Sequence, residues 1–389
     1  MKLLSAERYR THVNGRPVVN GFLSYIHPTR PELMLCTGFE DYSDGYDDFE
    51  LSLSRDKGQT WTPPRPWLKS RVVPGGRLRY AEPAALFDPD TGKLVVLVDE
   101  NLYPDDQLDT DSTIKLIQTT YDPASGEWTP RQHLDLTPGR YLAMSFSFPI
   151  KTSKGALLFP AMRPLLDETG KPVHYQGCWA TADESLTVIG EYGADGELRW
   201  QVGAPVPVDL EKSSRGLNEN TLAELRDGRI AMICRGDNSM YPERPGYKWL
   251  SFSEDNARTW SVPVPLPCDK GDPLESSATG SALFRSPQNG KLYWLGNLCI
   301  QGERPKGNYP RVPLVVAEVQ EEPFALRRDT IAVVGQRQFG EPAQVQMSNF
   351  RFYVDRETGD LVVFVTRYAE RNAKDWMIAD YYRYRVELA

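Results

Sequence analysis

Glu219 and Arg235 each lie eight residues from Asp227, on either side of an apolar–turn–apolar stretch centred on Asp227-Gly228-Arg229. An antiparallel hairpin pairs residues equidistant from its turn, so a carboxylate and a guanidinium are expected to meet across this one. The same count about Thr91 sets Glu82 opposite Glu100, and about Thr358 it sets Asn349 opposite Arg367. Further ionisable groups gather between or at the ends of apolar runs: Glu40, Asp41, Asp44, Asp47 and Asp48, then Arg140, Arg163 and His174, then Arg304 and Arg311. Tyr42, Tyr46, Tyr80, Tyr309, Tyr368 and Trp376 are interleaved with them. Arginine clamps carboxylate or sulfate bidentately, aromatic rings stack on pyranose faces, and paired carboxylates move protons. That set of groups suits an anionic oligosaccharide or glycoside as the partner.

Each candidate also has a plainer reading. Glu219 and Arg235 can be an ion pair that merely ties two strands, Asp47-Asp48 a solvated loop, and His174 a loop hydrogen-bonder. The acidic run Glu40 to Asp48 admits a calcium ion, although the spacing of an EF-hand loop is missing. No metal or other cofactor is expected.

The elements that must position these residues repeat along the chain. Strand–turn–strand patterns fall at 22–36, 84–99, 148–161, 222–235, 283–297 and 352–367. The turn glycines Gly92, Gly155, Gly228, Gly290 and Gly359 are 63, 73, 62 and 69 residues apart. Such turns favour glycine because they require positive φ. A period of 60 to 70 residues leaves room for two more strands per hairpin, which predicts an all-β, six-bladed propeller of four-stranded antiparallel blades. The segment before Arg10 is expected to close the ring against a last strand at 379–388, making residues 1–389 one domain.

Ser54-x-Asp56-x-Gly58-x-Thr60-Trp61 returns 199 residues later as Ser253-x-Asp255-x-Ala257-x-Thr259-Trp260, with a looser echo at 121–128. A recurring motif reads as a structural staple: Asp and Ser bond turn amides, and Trp packs between blades. The staple follows the third strand of a blade and so shares a face with the first turn of each hairpin. Chemistry is therefore expected on the other face, at the starts of first strands and the ends of second strands.

Composition narrows the partners. The formal net charge is -8 and no run of Lys or Arg occurs, which argues against nucleic acid or a membrane surface as the target. The three-residue apolar patch in MKLLSAERYR is too short for a secretory signal or a membrane span. A cytoplasmic protein is expected, or a secreted or periplasmic one whose leader has been removed. Five scattered cysteines without CxxC spacing are expected to be free thiols.

The Asp boxes on six hairpins, with Asn218-Glu219-Asn220-Thr221, Asp227-Gly228-Arg229 and Cys234-Arg235, resemble the sialidase (neuraminidase) superfamily. The resemblance implies that Glu219 and Arg235 are the glutamate and arginine flanking its fourth hairpin. It implies Asp48, or Asp47, as the acid/base, and Arg304 or Arg311 as another arginine of the carboxylate-binding triad. Two pieces are missing: the Arg-Ile-Pro that opens blade 1 is replaced by Val18-Val19-Asn20-Gly21, and the tyrosine nucleophile of the last blade by Asn349.

A glycoside hydrolase acting on a uronate-containing or sialic-acid-like glycan is therefore expected. Glu219 or Glu82 would serve as nucleophile or base and Asp48 as acid, with Arg235, Arg311 and Arg367 on the anion. Carboxylate separation would set the outcome, roughly 5 Å for retention and up to about 9.5 Å for inversion. The alternatives are a uronate lyase using Tyr80, His174 and Arg140, or a carbohydrate-binding propeller without catalysis.

Overall fold

The computed structural model describes residues 1–108, 112–138, 141–144, 146–175, 180–300 and 302–388. Six antiparallel sheets are arranged in a ring as the blades of a propeller. In blade 1, Val18–Tyr25, Leu33–Glu40, Tyr46–Ser54 and Arg65–Leu68 follow one another from inside to outside. Blade 4 repeats the order with Asn218–Glu224, Ile230–Arg235, Lys248–Ser253 and Val264–Pro265. Blade 2 is longer, its first hairpin spanning Gly76–Asp88 and Lys93–Tyr103, whereas blade 3 opens on the short Ile150–Lys151. Blades 5 and 6 begin at Ser281–Arg285 and Phe350–Val354. No helix among the described residues is long and apolar enough to cross a membrane.

Alternation within the strands explains the layering. Second strands such as Leu361–Thr366 and Ile230–Arg235 are buried on both faces and read as near-continuous apolar runs. Their side chains fill the gaps between neighbouring blades: Ile233 and Leu250 of blade 4 meet Trp294 and Val315 of blade 5. Phe284 and Phe352 join blades 5 and 6 with ring centroids 4.8 Å apart. Full burial of a side chain of this size contributes about 2 to 3 kcal/mol, so the inter-blade seams carry much of the stability.

Closure follows the expected route. Lys2–Arg10 pairs antiparallel with Tyr381–Glu387, from Lys2 opposite Glu387 to Arg10 opposite Tyr381, and completes blade 6. Inside the ring, Asn20 Nδ2 donates to Asn349 O at 2.9 Å and ties blade 1 to blade 6.

The Asp boxes are staples. Ser54 Oγ accepts from Gly58 N at 2.8 Å and donates to Asp56 Oδ1 at 2.8 Å, while Asp56 Oδ1 accepts from Thr60 N at 2.8 Å. Trp61 lies edge-on to Phe364 of blade 6, centroids 6.3 Å apart. The ion pair of Lys57 with Glu357 puts the box on the face of the hairpin turns. Ser253 and Asp255 repeat the geometry in blade 4. Cys36, Cys234, Cys268 and Cys299 are free thiols, and Cys178 lies outside the described residues.

Counting outward from the turns fails at the inner strands. Ala81 faces Asp99 and Tyr80 faces Glu100, so Glu82 is not opposite Glu100. The register slips between Ala81 and Ala84, where an extra residue is accommodated as a β-bulge. Arg235 pairs with Asn218 because of a similar slip between Asn218 and Thr221. In blade 6, Phe350 pairs with Val365, one step off the register that would set Asn349 opposite Arg367.

Candidate active site

A cavity of about 430 Å³ opens at the centre of the ring on the face away from the Asp boxes, at the ends of the inner hairpins. Glu82 and Glu219 reach it from equivalent places in blades 2 and 4. Both lie within the bulges just described and both adopt left-handed backbone, with φ of 46° and 41°. Such a conformation is strained for a glutamate by about 1 to 2 kcal/mol, and it persists only where surrounding contacts impose it. The bulge interrupts the alternation of the strand and leaves these carboxyls free to point into the hollow. Glu219 is ion-paired with Arg235. Glu82 Oε1 accepts from Tyr46 OH at 3.0 Å, and its Oε2 accepts from Phe146 N at 3.2 Å and Arg351 Nη2 at 3.4 Å.

Three guanidiniums line the cavity. Arg235 is committed to Glu219 and also donates to Asn308 Oδ1 at 3.0 Å. Among the described residues, Arg311 donates to neutral acceptors: Asn308 O at 3.2 Å, Gln346 Oε1 at 3.3 Å and Ser348 Oγ at 3.2 Å. Burial, then the neighbouring Arg235 charge, push the Arg311 pKa below its usual value. Arg215 packs over the Tyr175 ring, 5.2 Å from its centroid.

Burial acts on several carboxyls of the cavity. Burial raises the pKa of Glu82, and raises that of Asp183 and Asp99 as well. Glu40 is pushed up to about 7 by burial and by the like charge of Asp44, against the opposing hydrogen bond from Tyr368 OH at 2.6 Å. Asp44 lines the hollow on a loop with φ of 61°, its N–H bonded to Glu40 Oε1 at 2.8 Å. Enclosure by protein raises its pKa, opposed first by Arg311. Tyr46 and Tyr368 are held far above the ordinary phenol range by the same burial, and Trp376 packs on Tyr368 with centroids 5.3 Å apart. A proton donor, an acceptor–tyrosine pair and cations for an anion thus share one chamber.

Of the candidates read from the sequence, Glu219, Glu82, Arg235, Arg311 and Asn349 line this cavity, and so do Glu40, Asp44, Tyr46, Tyr309, Tyr368 and Trp376 from the interleaved groups. The other described candidates are placed elsewhere. Asp47 is buried among Arg16, Arg77 and Arg79. Asp48 Oδ1 accepts from Ser70 N at 2.9 Å, whereas Asp44, four residues earlier, lines the cavity. The pairing of Asp41 and Asp47 with arginines also accounts for much of the charge that suggested calcium.

Tyr80 is enclosed in the seam between blades 1 and 2, its hydroxyl taken by Arg71 at 3.1 Å and Arg131 at 3.0 Å. Arg163 is bound to Glu184 at 2.6 Å, and the exposed Arg304 to Glu275 at 3.3 Å. Arg367 is ion-paired with Glu341. His174 is exposed on a loop of blade 3, where its backbone bridges to Thr181. Arg140 lies outside the described residues. The lyase reading therefore loses Tyr80 and His174 as bases at this cavity. Arg215 escaped sequence reading altogether: it stands in an irregular segment between blades 3 and 4, without periodicity or motif to mark it. Asp44, Tyr46 and Tyr368 were visible as loop residues, but no spacing rule separated them from their neighbours.

The family model described as BNR repeat-like domain matches residues 33–354. No curated protein matches the chain. Among solved structures, a protein of unknown function from Dyadobacter fermentans DSM 18053 shares 13% identity at a TM-score of 0.65, covering 99% of this chain and 100% of its own. An intramolecular trans-sialidase from Ruminococcus gnavus in complex with oseltamivir carboxylate shares 12% at 0.63, covering 100% and 99%. The Trypanosoma rangeli sialidase shares 15% at 0.59, covering 98% of this chain and 59% of its own length. At such identities the likeness establishes the fold, a sialidase-like six-bladed propeller. With four-fifths of its length matched by the family model, the chain belongs to the BNR repeat-like domain family.

Proposed function

We propose that the protein is a glycoside hydrolase that cleaves a sugar carrying a carboxylate. The observation that carries this reading is a single cavity holding Arg235 and Arg311 together with the hydrogen-bonded pair Tyr46–Glu82. The substrate carboxylate lies against the Arg311 and Arg235 guanidiniums, whose fork geometry matches it. Asp44, whose pKa is raised by enclosure in protein, gives a proton to the departing glycosidic oxygen. Tyr46 attacks the anomeric carbon as Glu82 takes the phenolic proton across their 3.0 Å hydrogen bond. Water then enters with Asp44 as base, the bond to Tyr46 breaks, and Glu82 returns the proton to the phenol. Each step moves one proton over a contact or a cavity position already occupied by the group concerned. Neighbours of the same fold that are named as sialidases support the reaction class.

Glu219 in this scheme orients Arg235, with which it is ion-paired, whereas Glu82, itself paired with Arg351, is the carboxylate that accepts from Tyr46 OH. The test is a panel of aryl glycosides of uronic and sialic acids and of uronate polysaccharides, assayed with the wild type and Glu82→Gln. Release of aglycone by the wild type, with a loss of at least about 1000-fold in kcat for the variant, supports the reading. Equal activity in both proteins removes Glu82 from the mechanism.

A further inference from the structure

The three guanidiniums of the cavity differ in their pairing. Among the described residues, Arg235 is the one of them in an ion pair with a carboxylate. Arg311 is bonded to neutral oxygens. Arg215 forms no ion pair among the described residues, and its Nε is buried without an acceptor. It is held by stacking on Tyr175. Asp183, a carboxyl that feels the Arg215 charge, already accepts from Thr181 at 2.8 Å, Tyr141 at 3.2 Å and Asn218 at 3.1 Å. Burial raises the Asp183 pKa, opposed first by the hydrogen bond from Thr181.

The two cations without an ion pair among the described residues also stand apart. Arg215 comes from the segment before blade 4 and faces the blade 3 residues Asp183 and Tyr175. Arg311 precedes the third strand of blade 5 and faces Gln346 and Ser348 at the entrance to blade 6. The neutralised Arg235–Glu219 pair belongs to blade 4, between them in the ring order. Asp44 responds to both cations, which places both fields in the same chamber.

We propose that Arg215 is a second oxyanion site, so that the sugar bound in this cavity carries two anionic groups: a carboxylate at Arg311 and Arg235, and a sulfate ester or second carboxylate at Arg215. The proposal rests on the hydrolase reading for the location of the substrate, but its test needs no catalysis. A cation in a partly desolvated wall without a counter-ion is stabilised by an incoming oxyanion, and charge-assisted hydrogen bonds of this kind discriminate on the order of 10- to 100-fold.

Binding is measured by calorimetry with free sugars that have no glycosidic bond to cleave: a uronic acid, its mono-O-sulfates, and the corresponding aldaric acid with two carboxylates. The wild type is expected to bind at least one doubly anionic sugar about 10- to 100-fold more tightly than the uronic acid. The sulfated and dicarboxylate arms identify which oxyanion is preferred. Arg215→Leu is expected to abolish that preference while leaving the affinity for the uronic acid unchanged, and Arg215→Lys to restore part of it. Arg311→Leu should weaken all of these ligands. The proposal is overturned if Arg215→Leu weakens the singly and doubly anionic sugars equally, which makes Arg215 part of one carboxylate clamp, or if the wild type shows no preference. Absence of glycosidase activity alongside a preserved preference would sink the hydrolase reading and leave the second anion site standing.

Discussion

Glu40 offers a perturbation whose sign and size follow from its surroundings. The residue is buried at the end of the second strand of blade 1. Tyr368 OH and the Asp44 N–H are its bonded neighbours, and the carboxyls of Asp44 and Glu82 are the charges that face it. In the folded chain it keeps its proton up to about 7, whereas in the unfolded chain it loses it near 4.5. Between those values the folded state binds more protons, so stability falls as pH rises through the window; the contribution is fully present below 4.5 and gone above about 7.

A difference of about 2.5 in pKa corresponds to roughly 3 kcal/mol as an upper bound. Glu40→Gln removes the ionisation while its amide oxygen still accepts the Asp44 N–H. The variant is expected to be more stable than wild type by up to about 3 kcal/mol at pH 8 and no more stable at pH 4.5. Urea denaturation of both proteins across that range measures it. A gain of equal size at both ends, or a loss at pH 8, would refute the argument, because either result means that ionised Glu40 is not strained by its burial.

Further predictions concern the cavity and the staples. Asp44→Asn should lower kcat at least about 100-fold while Asp48→Asn stays near wild type, since only the former reaches the cavity; comparable losses in both would contradict the assignment of the acid. Glu219→Gln should raise KM more than it lowers kcat, a split that steady-state kinetics on one aryl glycoside resolves. Ser54→Ala strands the Gly58 and Asp56 amides and should cost about 1 to 3 kcal/mol in denaturant titrations, with no change in KM. Gly58→Ala should destabilise by a similar ~1 to 3 kcal/mol, because a Cβ there would lie 2.5 Å from the Tyr353 hydroxyl at a φ of 77°.

The ring was legible because its signals are local. A glycine that accepts positive φ at each hairpin turn, as at Gly228 and Gly359, marks the blade period directly. Asp boxes then orient the blades, because Ser54 and Asp56 bond only their own turn. The site was half legible for the opposite reason. Glu219 and Arg235 sit on one hairpin and were brought together as the count suggested, even though the bulge shifts the register beneath them.

Asp44 could not be told from Asp48, since the loop between two strands has no period and the choice depends on the arginines that capture Asp47 and the Ser70 amide that captures Asp48. Tyr46 meets Glu82 only because blades 1 and 2 are adjacent, a contact between residues 36 apart that no spacing rule covers. Arg367 follows a strand whose end points toward the cavity, yet Glu341, 26 residues earlier, draws it away.

The central claim is that the hollow of the ring cleaves an acidic sugar from its aglycone by hydrolysis. The measurement that meets it most directly is product analysis by proton NMR, with ultraviolet absorbance recorded in parallel, after incubating wild type and Asp44→Asn with uronate- and sialate-terminated glycosides. The account predicts a saturated free sugar from the wild type, almost none from Asp44→Asn, and no rise in absorbance. An unsaturated uronate product, or tight binding of every glycoside by the wild type without release of any sugar, would contradict it.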